Sequence, residues 1–247
     1  MCAPKTKTNG EEAGLDSTLE RAAELLGRAR FPVFGGLFTD VSGAAAALAL
    51  AEKLGGVIDH ASGDALSRMS QVMRERGASS ASFGETRNRA DLIVMVGGKP
   101  LERDPGLIEQ LFPAEKGLPR PGDHKRELVL LGGKPAAAPR GVPLTWVDLD
   151  GSDLPGLLAR LGAAVGERRI GGEAPDERLA AIAARLRAAA FAVFVYSAAD
   201  LDAPAIFTIL DMVRHLSITT RAATFALPAP GNGDGVNLCA TWTCGWS

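Results

Sequence analysis

Apolar and polar positions divide the chain into short apolar runs separated by longer segments with helical spacing. The short runs carry no alternating polar positions, which is typical of strands buried on both faces. Strands followed by helices predict an α/β fold with mostly parallel, Rossmann-like sheets flanked by helices. The predicted strands are Phe31–Leu37, Val57–Ile58, Leu92–Val96, Glu127–Leu131, Leu144–Leu149 and Phe191–Val195.

Start signals for helices lie between the predicted strands. Ser17 and Glu20 have the spacing of a capping box, which predicts that the first helix begins at Ser17. Asp40 is predicted to cap the next helix, which ends near Leu54. Further helices are predicted over residues 63–76 and Asp104–Phe112, and after Pro175, where an apolar stripe runs from Leu179 to Leu186. The last predicted helix is Pro204–Leu216, followed by one strand and a glycine-rich loop at 228–235.

Changes in composition suggest a division into two lobes. The order helix, strand, helix recurs after a stretch rich in glycine and charge, and residues 113–126 have the composition of a surface loop. The second lobe is expected to be cut short, because little follows its last predicted helix. The predicted regions are a flexible start at 1–15, an α/β lobe at 16–165, a linker at 166–176 and a second α/β lobe at 177–247.

Composition and charge narrow the function classes. The chain has 247 residues, of which 46% are hydrophobic, and this is enough to bury a sizeable core. A net charge of −2 and 5% aromatic residues argue against a surface for nucleic acid or anionic membranes. Three cysteines and an opening without an apolar signal sequence favour a reducing cytoplasmic compartment.

Two glycine loops follow apolar strands, at the strand ends where α/β sheets bind ligands. They are Gly97-Gly98-Lys99 and Gly132-Gly133-Lys134, and proline follows the lysine in both. A phosphate could be held by such a lysine beside bare backbone N–H groups. Because the sequence is not a Walker A motif, tight turns that end the strands are the simpler interpretation.

Histidines and cysteines do not form a metal-binding pattern. His60, His124 and His215 lie at no zinc spacing from one another or from a cysteine. His60 follows a strand end and is positioned like an active-site residue, whereas a structural role is the alternative. Cys239 and Cys244 are five residues apart and are predicted to be packing thiols. Catalytic, cofactor-binding and metal-binding residues are therefore all predicted to be absent.

A dense polar set precedes the most apolar strand of the chain. Such groups at a strand entrance usually satisfy one another and the nearby backbone, so a structural clamp is predicted rather than direct chemistry. The set comprises Glu85, Arg87, Asn88, Arg89 and Asp91.

The segments Leu19–His60 and Glu85–Pro100 carry a resemblance to the B subunit of formylmethanofuran dehydrogenase, a molybdopterin oxidoreductase. The tail resembles a later segment of that family through Gly235-Val236-Asn237-Leu238, Thr241-Trp242 and Gly245-Trp246. The resemblance covers most of residues 17–112 and, more loosely, 187–246. Residues 113–175 match poorly.

Two departures from the family decide the expected function. Catalytic members begin with a cysteine cluster that holds a [4Fe–4S] centre, whereas this chain has only Cys2 there. The family's metal-ligating cysteine falls just after Ile58-Asp59, where residues 59–65 contain no thiol. The chain is thus more similar to the B subunits of bacterial formyltransferase/hydrolase complexes, which have lost the redox centre.

This resemblance implies a non-catalytic structural subunit without a cofactor. The complex moves a formyl group from tetrahydromethanopterin to a methanofuran-type carrier and hydrolyses it to formate. The implied partners are the A, C and D subunits of such a complex, of which A is zinc amidohydrolase-like and D is the formyltransferase. The carrier is a further candidate partner.

Two alternatives remain from the sequence. The opening Glu20–Gly36 also resembles the central α/β domain of thiamine-diphosphate enzymes, although 247 residues leave no room for their other two domains. The other alternative is a redox-active formylmethanofuran dehydrogenase subunit that binds a pterin without the cysteine ligand.

Overall fold

The computed structural model describes residues 6–8, 11–112, 125–133, 141–149, 153–169 and 176–245. The chain divides into two compact units. Unit 1 comprises residues 1–63 and 230–247, and unit 2 comprises residues 64–229.

Unit 1 contains two small sheets and three helices within the described ranges. Two short strands pair antiparallel within the stretch predicted to be a flexible start, of which residues 1–5 and 9–10 lie outside the described part. The other two strands pair in parallel. The elements are β1 (Thr6–Thr8), β2 (Glu11–Ala13), α1 (Leu15–Arg28), β3 (Val33–Leu37), α2 (Val41–Leu54), β4 (Val57–His60) and, from the end of the chain, α10 (Gly233–Cys244).

The two helices predicted in unit 1 differ in how well their starts were placed. Helix α2 begins as predicted, because the Asp40 carboxylate accepts a 2.7 Å hydrogen bond from the Gly43 N–H. Helix α1 begins two residues before the predicted Ser17, and its N-cap is Gly14. The predicted capping box is wrong: the Ser17 hydroxyl donates back to the Gly14 carbonyl oxygen at 2.9 Å.

The core of unit 1 is small. Ala44 and Leu48 of α2 pack with Val236 and Cys239 of α10, and the half-buried side chains of β3 and β4 lie against this cluster. Helix α1 has an apolar stripe but buries none of its residues. One face of the β3–β4 pair therefore has a core, and α1 contributes nothing to it.

Unit 2 is built on one five-stranded parallel sheet. Its strand order is β7-β6-β5-β8-β9. Strands β5 and β8 lie in the middle and every residue of both is buried. The elements are α3 (Gly63–Arg76), α4 (Phe83–Arg89), β5 (Leu92–Val96), α5 (Lys99–Arg103), α6 (Leu107–Leu111), β6 (Glu127–Leu131), β7 (Leu144–Val147), α7 (Leu154–Val165), α8 (Glu177–Ala188), β8 (Phe191–Tyr196), α9 (Ala203–Leu216) and β9 (Arg221–Ala226).

Side chains alternate between two hydrophobic layers along the central strands. Leu92, Val94 and Val96 of β5 join the layer formed with α7, α8 and α9. Ile93 and Met95 face the opposite layer, where α6 packs. This period of two is the geometry of a strand buried on both faces, and it confirms the predicted class of parallel sheets flanked by helices.

The division into units differs from the predicted lobes. Strand β8 follows the predicted linker 166–176 but pairs with β5, which precedes it, so strands from both sides of that stretch form one sheet. Residues 170–175 of this stretch and 113–124 of the predicted surface loop lie outside the described part. A shift in composition at 166–176 therefore does not mark a boundary between sheets.

Four α-helices, α4, α5, α7 and α10, were not predicted. Two of them, α4 and α10, begin in stretches interpreted as a polar turn and as a glycine-rich loop, where composition concealed the helical spacing. Helix α7 begins with Pro155 at its first turn and the Asp153 carboxylate accepts from the Gly156 N–H at 2.9 Å, a start signal that was missed. The predicted helix Asp104–Phe112 corresponds to α6, with α5 immediately before it.

Candidate functional site

The two glycine loops meet at the C-terminal edge of the five-stranded sheet. The Gly97 N–H donates to the Leu131 carbonyl oxygen at 2.7 Å, and the Gly132 N–H donates to the Val147 carbonyl oxygen at 2.9 Å. Both glycines have positive φ, 85° and 77°, which residues other than glycine rarely adopt. Each loop therefore turns sharply while continuing the hydrogen bonds of its neighbouring strand.

The second glycine of each loop allows close backbone approach. A Cβ atom placed on Gly133 would lie 2.8 Å from the Gly98 Cα atom, so the contact leaves no room for a side chain there. Lys99 begins α5, whereas Lys134 lies outside the described residues. The contacts are those of packed, strand-ending turns. They agree with the favoured interpretation of the sequence, to which phosphate binding was the alternative.

Asp91 connects three strands at the opposite edge of the sheet. Its side chain is 5% exposed, and its carboxylate accepts hydrogen bonds from the Ala190 and Phe191 N–H groups at 2.8 and 2.7 Å. The Asp91 carbonyl oxygen accepts from the Glu127 N–H at 2.7 Å. Asp91 thus holds the entrances of β5, β6 and β8 together, as expected of a clamp.

Arg126 completes this clamp and was not predicted. Its guanidinium donates to the Ala90 and Thr86 carbonyl oxygens at 3.1 and 3.2 Å, and its Cζ atom lies 4.3 Å from the centroid of the Phe112 ring. Arg126 is the residue before β6, in the charged stretch interpreted as a loop. Its position beside the strand start was the signal that could have identified it.

Glu85 stabilises the start of α4. Ser82 and Glu85 form a capping box, and Glu85 also accepts from the Arg221 guanidinium at 2.7 Å. The hydrogen bond from the Ser82 backbone N–H, followed by that from Arg221, lowers the pKa of the Glu85 carboxyl below its usual range. Arg221 also stacks on the Phe191 ring at 3.9 Å. Glu85 therefore belongs to the structural set.

The remaining members of the polar set do not take part in these contacts. Arg87 and Asn88 are half-buried and Arg89 is exposed. Among the residues that the structure describes, these three side chains make no hydrogen bond or ion pair. The clamp is thus formed by Glu85, Asp91 and Arg126, and the other three residues are not part of it.

His60 lies at the C-terminal end of β4 in unit 1. Its Nδ1 atom accepts a hydrogen bond from the Ser62 N–H at 3.2 Å, which leaves Nε2 as the protonated nitrogen of the neutral imidazole. The Ser62 side chain is buried and its hydroxyl donates to the Pro230 carbonyl oxygen at 3.0 Å. These contacts fasten the turn after β4 to the segment before α10, which is a structural role.

A second turn at the same edge of unit 1 depends on Asn232. Its side-chain amide donates to the Thr39 carbonyl oxygen at 3.0 Å, and its backbone has a positive φ of 58°. Asn232 was interpreted only as part of a loop. The enrichment of asparagine at left-handed positions was the one sequence signal available.

The cysteines and the other two histidines do not come together in a site within the described residues. Cys239 of α10 is buried, as predicted for a packing thiol. For Cys244 that prediction is wrong, because the residue is exposed at the end of α10, where its thiol donates to the Ala240 carbonyl oxygen at 3.0 Å. His215 is exposed in the last turn of α9. Cys2 and His124 lie outside the described residues. Within the described ranges, no three His, Cys, Asp or Glu side chains come together as a metal-binding group.

A molybdenum or tungsten centre does not fit the donors at the expected position. The end of β4 and the turn after it offer the Asp59 carboxylate, the His60 imidazole and the Ser62 hydroxyl but no thiolate. The Asp59 carboxylate accepts from the His60 backbone N–H at 2.8 Å, and His60 and Ser62 are engaged as described.

The sheet and its two edges define an α/β protein with a parallel five-stranded sheet whose polar residues mainly support the backbone. No family model matches the chain. The B subunit of the formyltransferase/hydrolase complex Fhc from Methylorubrum extorquens is 32% identical to it over 238 residues, which are 96% of this chain and 63% of that protein. The chain is homologous to this B subunit.

A solved structure shows the same relationship. The crystal structure of the formyltransferase/hydrolase complex FhcABCD from Methylorubrum extorquens, in complex with methylofuran, contains a chain that matches with a TM-score of 0.83 and 31% identity. The match covers 99% of this chain and 66% of that one. The chain therefore spans slightly less than two thirds of the length of these relatives.

No helix in the described ranges is both long and apolar enough to cross a bilayer.

Proposed function

We propose that this chain is the B-type structural subunit of a formyltransferase/hydrolase complex. The complex would act in one-carbon metabolism linked to tetrahydromethanopterin and a methanofuran-type carrier, and would release the formyl group as formate. The A, C and D subunits would be the partners of this chain, which would work in the cytoplasm. The homology to the Fhc B subunit over nearly the whole chain carries the proposal.

The apolar surface of unit 1 supports a role in assembly. Thirteen large hydrophobic side chains are exposed among the described residues, and eleven of them belong to unit 1 although it is the smaller unit. Phe31, Val33 and Phe38 are 65%, 66% and 73% exposed. This concentration of exposed apolar side chains in one unit supports a protein interface there, because leaving them in water is unfavourable.

The polar residues support a non-catalytic role. Glu85, Asp91, Arg126 and Ser62 are all occupied by backbone or ion-pair contacts that hold the fold. The position of the family's metal ligand offers no thiolate. Wider membership of the formylmethanofuran dehydrogenase B and molybdopterin oxidoreductase group is part of this proposal and rests on the sequence resemblance.

Co-purification tests the proposal. The tagged full chain is expressed in its own host, isolated under mild conditions and analysed by mass spectrometry, with a tag-only strain as the control. We expect the A, C and D subunits in fixed stoichiometry with the chain. A monodisperse monomer that carries none of them would contradict the proposal.

Elemental analysis of the same material separates the structural role from a redox role. We expect molybdenum and tungsten to be absent and iron to be substoichiometric. Stoichiometric molybdenum or tungsten would show that the chain holds a pterin centre despite the missing cysteine, and would replace the structural role with a redox one.

A further inference from the structure

A groove on unit 2 lies between helices α7 and α9. Its cavity volume is about 350 Å³, within the range of small-molecule sites. At Gly162 the helices lie within contact distance of each other, since a Cβ atom there would be in ordinary contact with Met212 and Thr208 at 3.5 and 3.6 Å. Ala159, Ala163 and Phe207 complete the apolar part of the lining.

Positive charge surrounds this apolar floor. Arg168 and Arg169 line the groove beside the His215 imidazole, and among the described residues neither guanidinium forms a hydrogen bond or ion pair. Arg76 lies next to the groove, with its Cζ atom 3.9 Å from the centroid of the Phe207 ring. Within the described part of the chain, the cations around the groove therefore have no carboxylate that neutralises them.

The one carboxylate in the described lining of the groove already forms an ion pair. Asp211 accepts from the Arg214 guanidinium at 3.1 Å, so it does not offset the charge of Arg168 and Arg169. Arginine guanidinium groups bind carboxylates through two parallel N–H groups, and an apolar floor favours a hydrocarbon body. Charge and shape together therefore define the chemistry of the ligand.

We propose that the groove between α7 and α9 binds a small organic carboxylate with an apolar body. The carboxylate contacts Arg168 and Arg169 while the body lies on Gly162, Ala163 and Met212. This site is separate from the proposed structural function, since it lies in unit 2 and does not require a partner subunit.

Three probes separate charge from shape in a titration of the full ¹⁵N-labelled chain by NMR. Benzoate has the charge and the apolar ring, benzamide has the ring without the charge, and inorganic phosphate has charge without the ring. We expect benzoate to shift the Arg168, Arg169 and Gly162 signals saturably with a Kd on the order of 1 mM. Both other probes should bind at least about tenfold more weakly.

Matched variants locate the site. Arg168→Gln and Arg169→Gln should each weaken benzoate binding by about tenfold. Arg160→Gln removes the same charge from α7 outside the groove and should leave binding unchanged. Ala163→Leu places a side chain in the groove and should abolish binding, while circular dichroism confirms that the variant is folded.

Three results would overturn the proposal. The first is absence of saturation by benzoate up to tens of millimolar. The second is phosphate binding as tightly as benzoate, which would show a plain anion site. The third is equal loss of binding in Arg160→Gln, which would show a general effect of net charge.

Discussion

Unit 1 and unit 2 both contain parallel strands, but the side chains of these strands are buried to very different degrees in the two units. In unit 2, clusters of twenty-nine and fourteen buried residues cover the two faces of the sheet. In unit 1, the corresponding cluster has four buried residues, and Val33 and Val57 stay exposed on the β3–β4 pair. Parallel sheets are normally covered on both faces. The difference teaches that unit 2 covers both faces of its sheet with its own residues, whereas unit 1 has an exposed apolar surface suited to a partner.

Two matched leucines should give the largest contrast in stability. Leu158 of α7 is fully buried in unit 2, and Leu19 of α1 is 57% exposed in unit 1. Leu158→Ala leaves a cavity and should lower the free energy of unfolding by about 2–5 kcal/mol. Leu19→Ala should change it by less than about 0.5 kcal/mol, since the side chain buries little. Urea denaturation of the free chain measures both, and equal losses would contradict the contrast between the units.

The Asp91 clamp should be the next most costly feature to remove. Asp91→Ala removes the acceptor of the buried Phe191 N–H and of the half-buried Ala190 N–H, which should cost about 3 kcal/mol. Asp176→Ala is the control, because its carboxylate also accepts from two N–H groups but at the exposed start of α8. Losing that cap should cost about 1 kcal/mol. Equal free energies of unfolding for the two variants would refute the role of burial at Asp91.

Several features of unit 2 could be predicted from sequence, because burial leaves a clear pattern. The boundaries of β5 and β6 are as predicted, and continuous apolar runs of this kind have few other structures. The helix over residues 63–76 was also predicted correctly, as was the Asp40 cap in unit 1, since their signals are local.

Long-range features left no such pattern. Pairing of β5 with β8 joins residues about one hundred positions apart, and composition at 166–176 suggested a boundary instead. The Arg126 contacts and the groove beside Arg168 and Arg169 depend on the same tertiary placement. Helix α1 was predicted from its apolar stripe. Its exposure could not be predicted, because periodicity shows which face of a helix is apolar but not whether another element covers that face.

The only tyrosine of the chain reports on the core of unit 2 through pH. Tyr196 ends β8 and is 1% exposed, and this burial raises its pKa from 10.0 to about 12. Its neutral form is favoured in the folded state, so the stabilisation is complete below pH 10 and is lost as the pH rises towards 12. The loss should be roughly 2–3 kcal/mol.

Ultraviolet titration of tyrosinate tests this directly. We expect a midpoint near 12 in the folded chain and near 10 in urea. Tyr196→Phe removes both the signal and this part of the pH dependence. A folded midpoint near 10 would mean that Tyr196 is in contact with water and that the layer around it is open.

The smallest expected effect concerns the exposed edge of unit 2. Arg221→Gln removes a donor to Glu85 and should raise the lowered pKa of that carboxyl towards its usual range. The Glu85 contribution to stability is present above the unfolded pKa and is lost as pH falls through the folded one. Carboxyl-detected NMR titration measures the change, and Arg214→Gln, which removes a distant arginine, is the control. An unchanged Glu85 pKa in Arg221→Gln would show that the pair does not form.

Hydrogen exchange of α1 and the β3–β4 pair is the most direct test of the central claim that unit 1 is the assembly surface. Mass spectrometry would compare amides of the free full chain with those of the chain co-purified with the A, C and D subunits. The account predicts fast exchange in Leu15–Arg28 and Val33–Leu37 of the free chain and strong protection in the complex, while β5 and β8 are protected in both. Equal exchange of unit 1 in the free and assembled chain would contradict it.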